Sequence, residues 1–121
     1  MSFDQRFSPG DVLVFQLESG FGLLRFLGVD ENGQDPAWHV TAYADLFPDV
    51  ELAEAAAANP QRLSVACPLL SMTTRAFEST QMASILNVEL TDTEMEPLEA
   101  WRRDPERSVS DRSVRLLLGL R

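Results

Sequence analysis

The stretch from Ser8 to Gly33, SPGDVLVFQLESGFGLLRFLGVDENG, constrains the fold more than any other part of the chain. Val12 to Leu17 is an unbroken run rich in β-branched and aromatic residues, which suit a pleated, half-buried surface. Side chains alternate along an extended chain, so Leu13, Phe15 and Leu17 share one face and Val12, Val14 and Gln16 the other. A second arm runs from Phe21 to Val29, with Phe21, Leu23, Arg25 and Leu27 opposite Gly22, Leu24, Phe26 and Gly28. Glu18-Ser19-Gly20 between the arms is short and ends on a glycine, as tight hairpin turns require. Pro9-Gly10 forms a turn before the first arm, and Asp30-Glu31-Asn32-Gly33 closes the second. Gly22 and Gly28 lie inside the second arm, where strand glycines mark a bulge, a bend or the close approach of another backbone. The reading is a long, curved β-hairpin, with Phe3 and Phe7 of the lead-in free to tuck against its first strand.

Further along, Trp38 to Tyr43 alternates as a third strand, with Trp38, Val40 and Ala42 opposite His39, Thr41 and Tyr43. Pro48-Asp49 then opens a helix that runs through the alanines to Asn59-Pro60. Arg62 to Cys67 reads as a fourth strand ended by Pro68. Leu69–Thr73 reads as a further strand, with a turn or short helix at Arg75–Ser79. Ala83 to Leu90 is the next strand candidate, its apolar face being Leu86, Val88 and Leu90, with Ile85 out of phase. Thr91-Asp92-Thr93-Glu94 has the pattern of a capping box, followed by Met95, Leu98 and Trp101 on one helical stripe. Pro97 argues against that helix unless it falls in the first turn, and Asp104-Pro105 ends it. Ser110 or Asp111 can cap a last helix through Val114, Leu117 and Leu118, with an edge strand as the alternative.

The 121 residues, 1–121, suit one domain with a real core. No apolar run is long enough to span a bilayer, and the N-terminus lacks a basic-then-apolar leader pattern. With a single cysteine there is no internal disulfide, and a cytoplasmic protein is the expectation. The net charge is -9, and it is unevenly placed. Residues 1–60 carry ten acids and two arginines, whereas residues 61–121 carry nine acids and eight arginines; lysine is absent. An acidic front half disfavours binding to a nucleic-acid backbone and suits a basic protein partner, whose approach it would steer. Arg102, Arg103, Arg107, Arg112 and Arg115 form a basic region that could pair with neighbouring acids or with the acidic front of a second copy, so a homodimer is open.

No stretch reads as a convincing catalytic, metal or phosphate motif. A nucleophilic triad would have to use His39, the only histidine, which the strand pattern places toward solvent or a barrel rim. Cys67, before Pro68 in an apolar strand, reads as a small hydrophobe rather than a nucleophile. Asp30-Glu31-Asn32-Gly33 resembles half a calcium loop but suffices as a plain turn. Gly20-Phe21-Gly22 is followed by strand residues rather than by the helix that would hold a phosphate. No pair of carboxylates stands out for glycoside chemistry. The expectation is therefore no enzyme, no cofactor and no metal. Phe15, Phe21, Phe26, Trp38, Tyr43 and Phe47 cluster in the first 47 residues, some for a core and some for a recognition surface. The candidate partner-binding set is Trp38, His39, Tyr43, Phe21, Asp30 and Glu31.

Phe7, Pro9-Gly10-Asp11-Val12, Val14-Phe15 and Leu17, followed by Gly20-Phe21-Gly22, Leu24 and Phe26-Leu27, resemble the opening of bacterial immunity proteins of the immunity protein 26 kind. That resemblance implies a module that binds and neutralises a toxin. The same opening is similar to the Tudor-like module of the CarD transcription regulators, which implies contact with RNA polymerase. It covers about a quarter of the chain and carries over no functional residue. Together these readings predict an α+β fold. It would have a strongly bent, mostly antiparallel sheet of about five strands, with an SH3-like barrel as one form of it, and two or three packed helices. A small-ligand binder or enzyme using a barrel pocket near His39 is the third functional expectation.

Overall fold

The computed structural model describes residues 7–31 and 35–119. The expected lead-in contact of Phe3 and the Asn32-Gly33 half of the second turn lie outside the described residues. Strands β1 (Asp11–Leu17), β2 (Gly20–Asp30) and β3 (Ala37–Phe47) form a meander, and helix α1 (Val50–Ala57) follows. A single turn of 3₁₀ helix at Pro60–Arg62 leads into β4 (Val65–Met72), α2 (Thr74–Glu78) and β5 (Met82–Asn87). The chain ends with α3 (Asp92–Arg103) and α4 (Val114–Leu118). The strands make one antiparallel sheet in the order β4-β3-β2-β1-β5.

The hairpin has the expected register, Leu17 opposite Gly20 and Val12 opposite Arg25. Both strand glycines fall at irregularities of the β2–β3 ladder, between Gly22 and Leu24 and between Phe26 and Gly28. At Gly22 the Phe15 ring lies 2.6 Å from where a Cβ would stand, so the ring fills the space that glycine leaves.

The sheet does not close into a barrel. Its edges, β4 and β5, are not paired with each other. The end of β4 is instead joined to Ser110, through Thr73 N–H to the Ser110 carbonyl (2.9 Å) and Ser110 N–H to the Ser71 carbonyl (2.8 Å). Helices cover both faces, so the curved sheet buries its apolar side chains without closing on itself. Among the described residues there are four α-helices, where two or three were expected.

On one face Phe7, Phe26, Trp38 and Phe77 form a cluster of rings, with Trp38 stacked on Phe77 at 4.7 Å between centroids. Leu13, Phe15, Leu24 and Val40 extend it, and Val114, Leu117 and Leu118 of α4 pack against it. On the other face Val12, Val14, Leu23 and Tyr43 receive Ala53 and Ala57 of α1, whose small side chains let the helix lie close to the sheet. Further along that face the inward residues become polar, Arg25, His39 and Thr41, all buried.

Three local readings are corrected. β4 begins at Val65, after the 3₁₀ turn, and runs through Pro68 rather than ending there. An edge strand tolerates a proline because its missing N–H can face outward. β5 spans Met82–Asn87, and Ile85 packs inward while Leu86 is 40 % exposed. A register shift in the β1–β5 ladder between Val12 and Leu13 accompanies that change of face. α3 holds Pro97 in its interior, past the first turn, with the expected capping box at Thr91 and Glu94 fully formed.

Candidate functional site

The polar half of the second face lies under α3. Leu98 is the one fully buried residue of this helix, so polar contacts make most of its attachment to the sheet. At its N-terminal end, Arg25 reaches up from β2 with no exposed surface. Its Nε donates to Glu94 Oε2 (2.9 Å) and Nη2 to Glu94 Oε1 (3.2 Å). Nη2 also donates to the Glu89 carbonyl (3.2 Å), and Nη1 to the Gly10 carbonyl. One guanidinium therefore ties together the first turn, the exit of β5 and the start of α3. Burial works against the Glu94 carboxylate, but the Arg25 hydrogen bond and the Thr91 N–H hold it below the usual glutamate range.

At the C-terminal end, Arg102 makes a bidentate pair with Asp30, both contacts at 2.8 Å. The Arg102 hydrogen bond holds the Asp30 carboxyl below the usual aspartate range, against the effect of burial. Beside them Trp101 and the His39 ring pack edge to face, centroids 4.5 Å apart. Ser71 Oγ lies 2.8 Å from His39 Nδ1, and Asp30 Oδ2 lies 3.6 Å from His39 Nε2. Placing the ring proton on Nε2 lets the serine hydroxyl donate to Nδ1 and turns the N–H toward the carboxylate; this tautomer is assigned from the geometry.

A serine, an imidazole and a carboxylate in a row invite comparison with a nucleophilic triad. Three features argue against that chemistry. The His39 ring is wholly buried and roofed by Trp101. Burial pushes the imidazole down to about 4, with Asp30 opposing and Arg102 reinforcing, so it is a weak base near neutrality. Asp30 is committed to Arg102, and its 3.6 Å separation from Nε2 exceeds hydrogen-bond length. The cluster therefore reads as the latch that holds α3 down.

No protein-family model matches this chain, and comparisons with curated proteins and with solved structures give no match.

The expected partner-binding residues are scattered by the fold. Trp38 and Tyr43 are 5 % exposed and on opposite faces, and His39 has no exposed surface, which corrects its placement toward solvent. The reason is the helical cover on both faces, which the alternation of a strand does not reveal. Phe21 and Asp30 are half-buried, and Glu31 is exposed. Cys67 is half-buried against the aromatic core, its thiol 3.3 Å from the Leu69 carbonyl. The sequence points to Glu94 only as a helix cap, to Trp101 only as part of a helical stripe and to Arg102 only as one of a basic region, and it does not point to Ser71. The one available signal was an arginine in the middle of an apolar strand, on the face of Leu23 and Leu27.

A cavity of about 560 Å³ opens beside the start of α3, floored by Tyr43 and Thr41. No helix among the described residues is long and apolar enough to cross a membrane.

The neutral, buried imidazole has a consequence for acid stability. Unfolded, His39 binds its proton near pH 6.5; folded, it resists until about 4. Its share of the stability is thus complete above about pH 6.5 and drains away between there and pH 4, on the order of 2–3 kcal/mol in all. Asp30 and Glu94, whose folded values are lowered, add losses only below the ordinary carboxylate values of 3.8 and 4.5. Urea unfolding of His39→Gln is expected to show a flattened profile between pH 6.5 and 4.5. An unchanged slope would mean that the imidazole is not the group responsible.

Proposed function

We propose that this protein is a non-catalytic binding module that grips a basic protein partner through the acid-rich end of its sheet, in the manner of an immunity-type inhibitor. The carrying observation is where the charges go. Among the described residues before Gln61 the only basic side chain is Arg25, and it is withdrawn into the interior and neutralised by Glu94. Apart from buried Asp11 and the half-buried Asp30 that pairs with Arg102, the described acids of this half reach the surface. Asp49, Glu51 and Glu54 are exposed on α1 and at its cap, and Asp45 is half-buried just before them. The β1–β2 turn, with exposed Glu18, abuts the same place, since a Cβ on Gly20 would stand 2.4 Å from the Phe47 carbonyl. Two large apolar residues of this stretch are left open as well, Leu46 at 50 % and Leu52 at 51 % exposure. Apolar side chains among charges of one sign suit a partner of opposite charge, which the field would steer in.

The test is affinity capture at low salt from the native lysate, comparing the wild type with a variant carrying Glu18→Gln, Asp49→Asn, Glu51→Gln and Glu54→Gln. Asparagine is chosen at position 49 because it preserves the helix cap. A basic protein retained by the wild type, released as ionic strength rises and lost by the variant is expected, with its activity suppressed in the complex. Recovery of nothing, or of a partner that the variant retains equally, overturns the proposal. Recovery of polymerase subunits would replace it with the transcription-associated reading.

A further inference from the structure

The cavity beside α3 is distinct from the acidic end and has a floor that the fold leaves chemically unfinished. Its walls are largely apolar: Pro60 and Leu63 from the 3₁₀ turn, Val65 and Pro68 from β4, and Pro97 from α3. Ala44 N–H to the Ser64 carbonyl (2.7 Å) and Ser64 N–H to Asp45 Oδ1 (2.6 Å) fix the segment that forms one side. At about 560 Å³ it falls within the range of roughly 300–1,000 Å³ typical of small-molecule sites.

Two polar groups meet there. Tyr43 is 95 % buried by residue, yet its hydroxyl makes no hydrogen bond with the protein among the described residues. Burial pushes the phenol up to about 12, so the hydroxyl keeps its proton and can donate. The wholly enclosed unpaired polar atoms among the described residues are His39 Nε2 and Thr80 Oγ1, whereas the Tyr43 hydroxyl opens into the cavity, where its proton is available to a guest. The second group is Glu94. Oε1 already accepts from Arg25, Thr91 and Gln61, whereas Oε2 accepts from Arg25 Nε alone and has room for another donor. Because Arg25 balances its charge, the site as a whole asks for a neutral guest. Thr41 offers no donor there, since its hydroxyl proton goes to the Pro68 carbonyl.

We propose that this cavity binds an uncharged, flat, mostly apolar small molecule with an amide-like edge, whose acceptor takes the Tyr43 hydroxyl and whose donor meets Glu94 Oε2. The proline and aliphatic walls hold the flat body, and the paired donor and acceptor set its direction. A charged ligand is disfavoured, an anion by the carboxylate and a cation by the guanidinium behind it.

The experiment is an NMR titration of the full chain with benzamide and 2-pyridone, using toluene as the apolar control and benzoate as the anionic one. Saturable binding of the amides at millimolar concentration is expected, with shifts confined to the cavity lining and with toluene and benzoate weaker. Tyr43→Phe removes an atom that the protein itself does not use, so folding is expected to be unchanged; its thermal midpoint checks this. The variant is expected to bind benzamide roughly three- to tenfold more weakly, the value of one hydrogen bond, and toluene as before. Val65→Trp at the half-exposed rim is expected to block both amides. Absence of amide binding, shifts elsewhere, an unchanged affinity in Tyr43→Phe, or toluene binding as tightly as benzamide would each overturn the assignment.

Discussion

Replacing Glu94 with alanine is expected to destabilise the fold by about 3–5 kcal/mol, the usual cost of leaving one member of a buried ion pair alone. The charge left behind is Arg25, which has no exposed surface and cannot turn out to water. The remaining carbonyl partners, Gly10 and Glu89, satisfy N–H groups but do not neutralise the guanidinium. The same substitution also removes the capping box, because the Glu94 carboxylate accepts the Thr91 N–H at 3.0 Å. Glu94→Gln keeps that cap and is expected to cost less. The double variant Arg25→Met with Glu94→Leu is expected to recover part of the loss, since apolar replacement of a buried pair is often near neutral. Chemical denaturation of the variants provides the measurement. A loss under about 1 kcal/mol for Glu94→Ala would show that the pair behaves as a surface one.

The second large effect belongs to the opposite face. Phe77→Ala is expected to cost about 3–5 kcal/mol, the range for deleting a fully buried aromatic ring. Phe77 is 1 % exposed and stacks on Trp38, with Phe7 and Phe26 at about 6 Å on other sides. α2 has five residues, and Ala76 and Phe77 are the ones it buries, so the ring is its main anchor. Loss of the ring also frees Trp38, whose indole N–H donates to Thr74 of that helix at 2.8 Å. Denaturant unfolding followed by tryptophan fluorescence measures both consequences: a lowered midpoint and a red-shifted native emission. Phe77→Leu, which keeps most of the volume, is expected to cost about half as much or less. Equal costs for the two would point to strain rather than to a lost ring stack.

How much of this was readable in the sequence depends on the range of the interaction. The hairpin was legible because alternation and turn chemistry are local, and the glycines at positions 22 and 28 do sit at ladder irregularities. The capping box at Thr91 was legible for the same reason. Pro68 misled because a proline inside a run looks like an ending, whereas on an edge strand it costs little. Ile85 looked out of phase because the bulge that turns it inward belongs to the pairing with β1. The Arg25–Glu94 pair spans 69 positions in the chain, and no local pattern announces it. His39 was misplaced because a strand shows which residues share a face and not whether a helix will later cover that face. The barrel was expected from curvature alone, and covering helices are an equally good way to bury a curved sheet.

The cluster of Ser71, His39, Asp30, Trp101 and Arg102 beneath the C-terminal end of α3 is a closed, structural assembly with no reactive role. The sole imidazole reports on this directly through ¹⁵N–¹H NMR across pH. The expected result is a His39 ring that holds its proton on Nε2 at neutral pH, exchanges slowly with solvent and becomes charged only near pH 4. A ring that titrates at 6.5 or above, or that reacts readily with diethyl pyrocarbonate in the folded protein, would contradict it and return Ser71, His39 and Asp30 to consideration as a reactive centre.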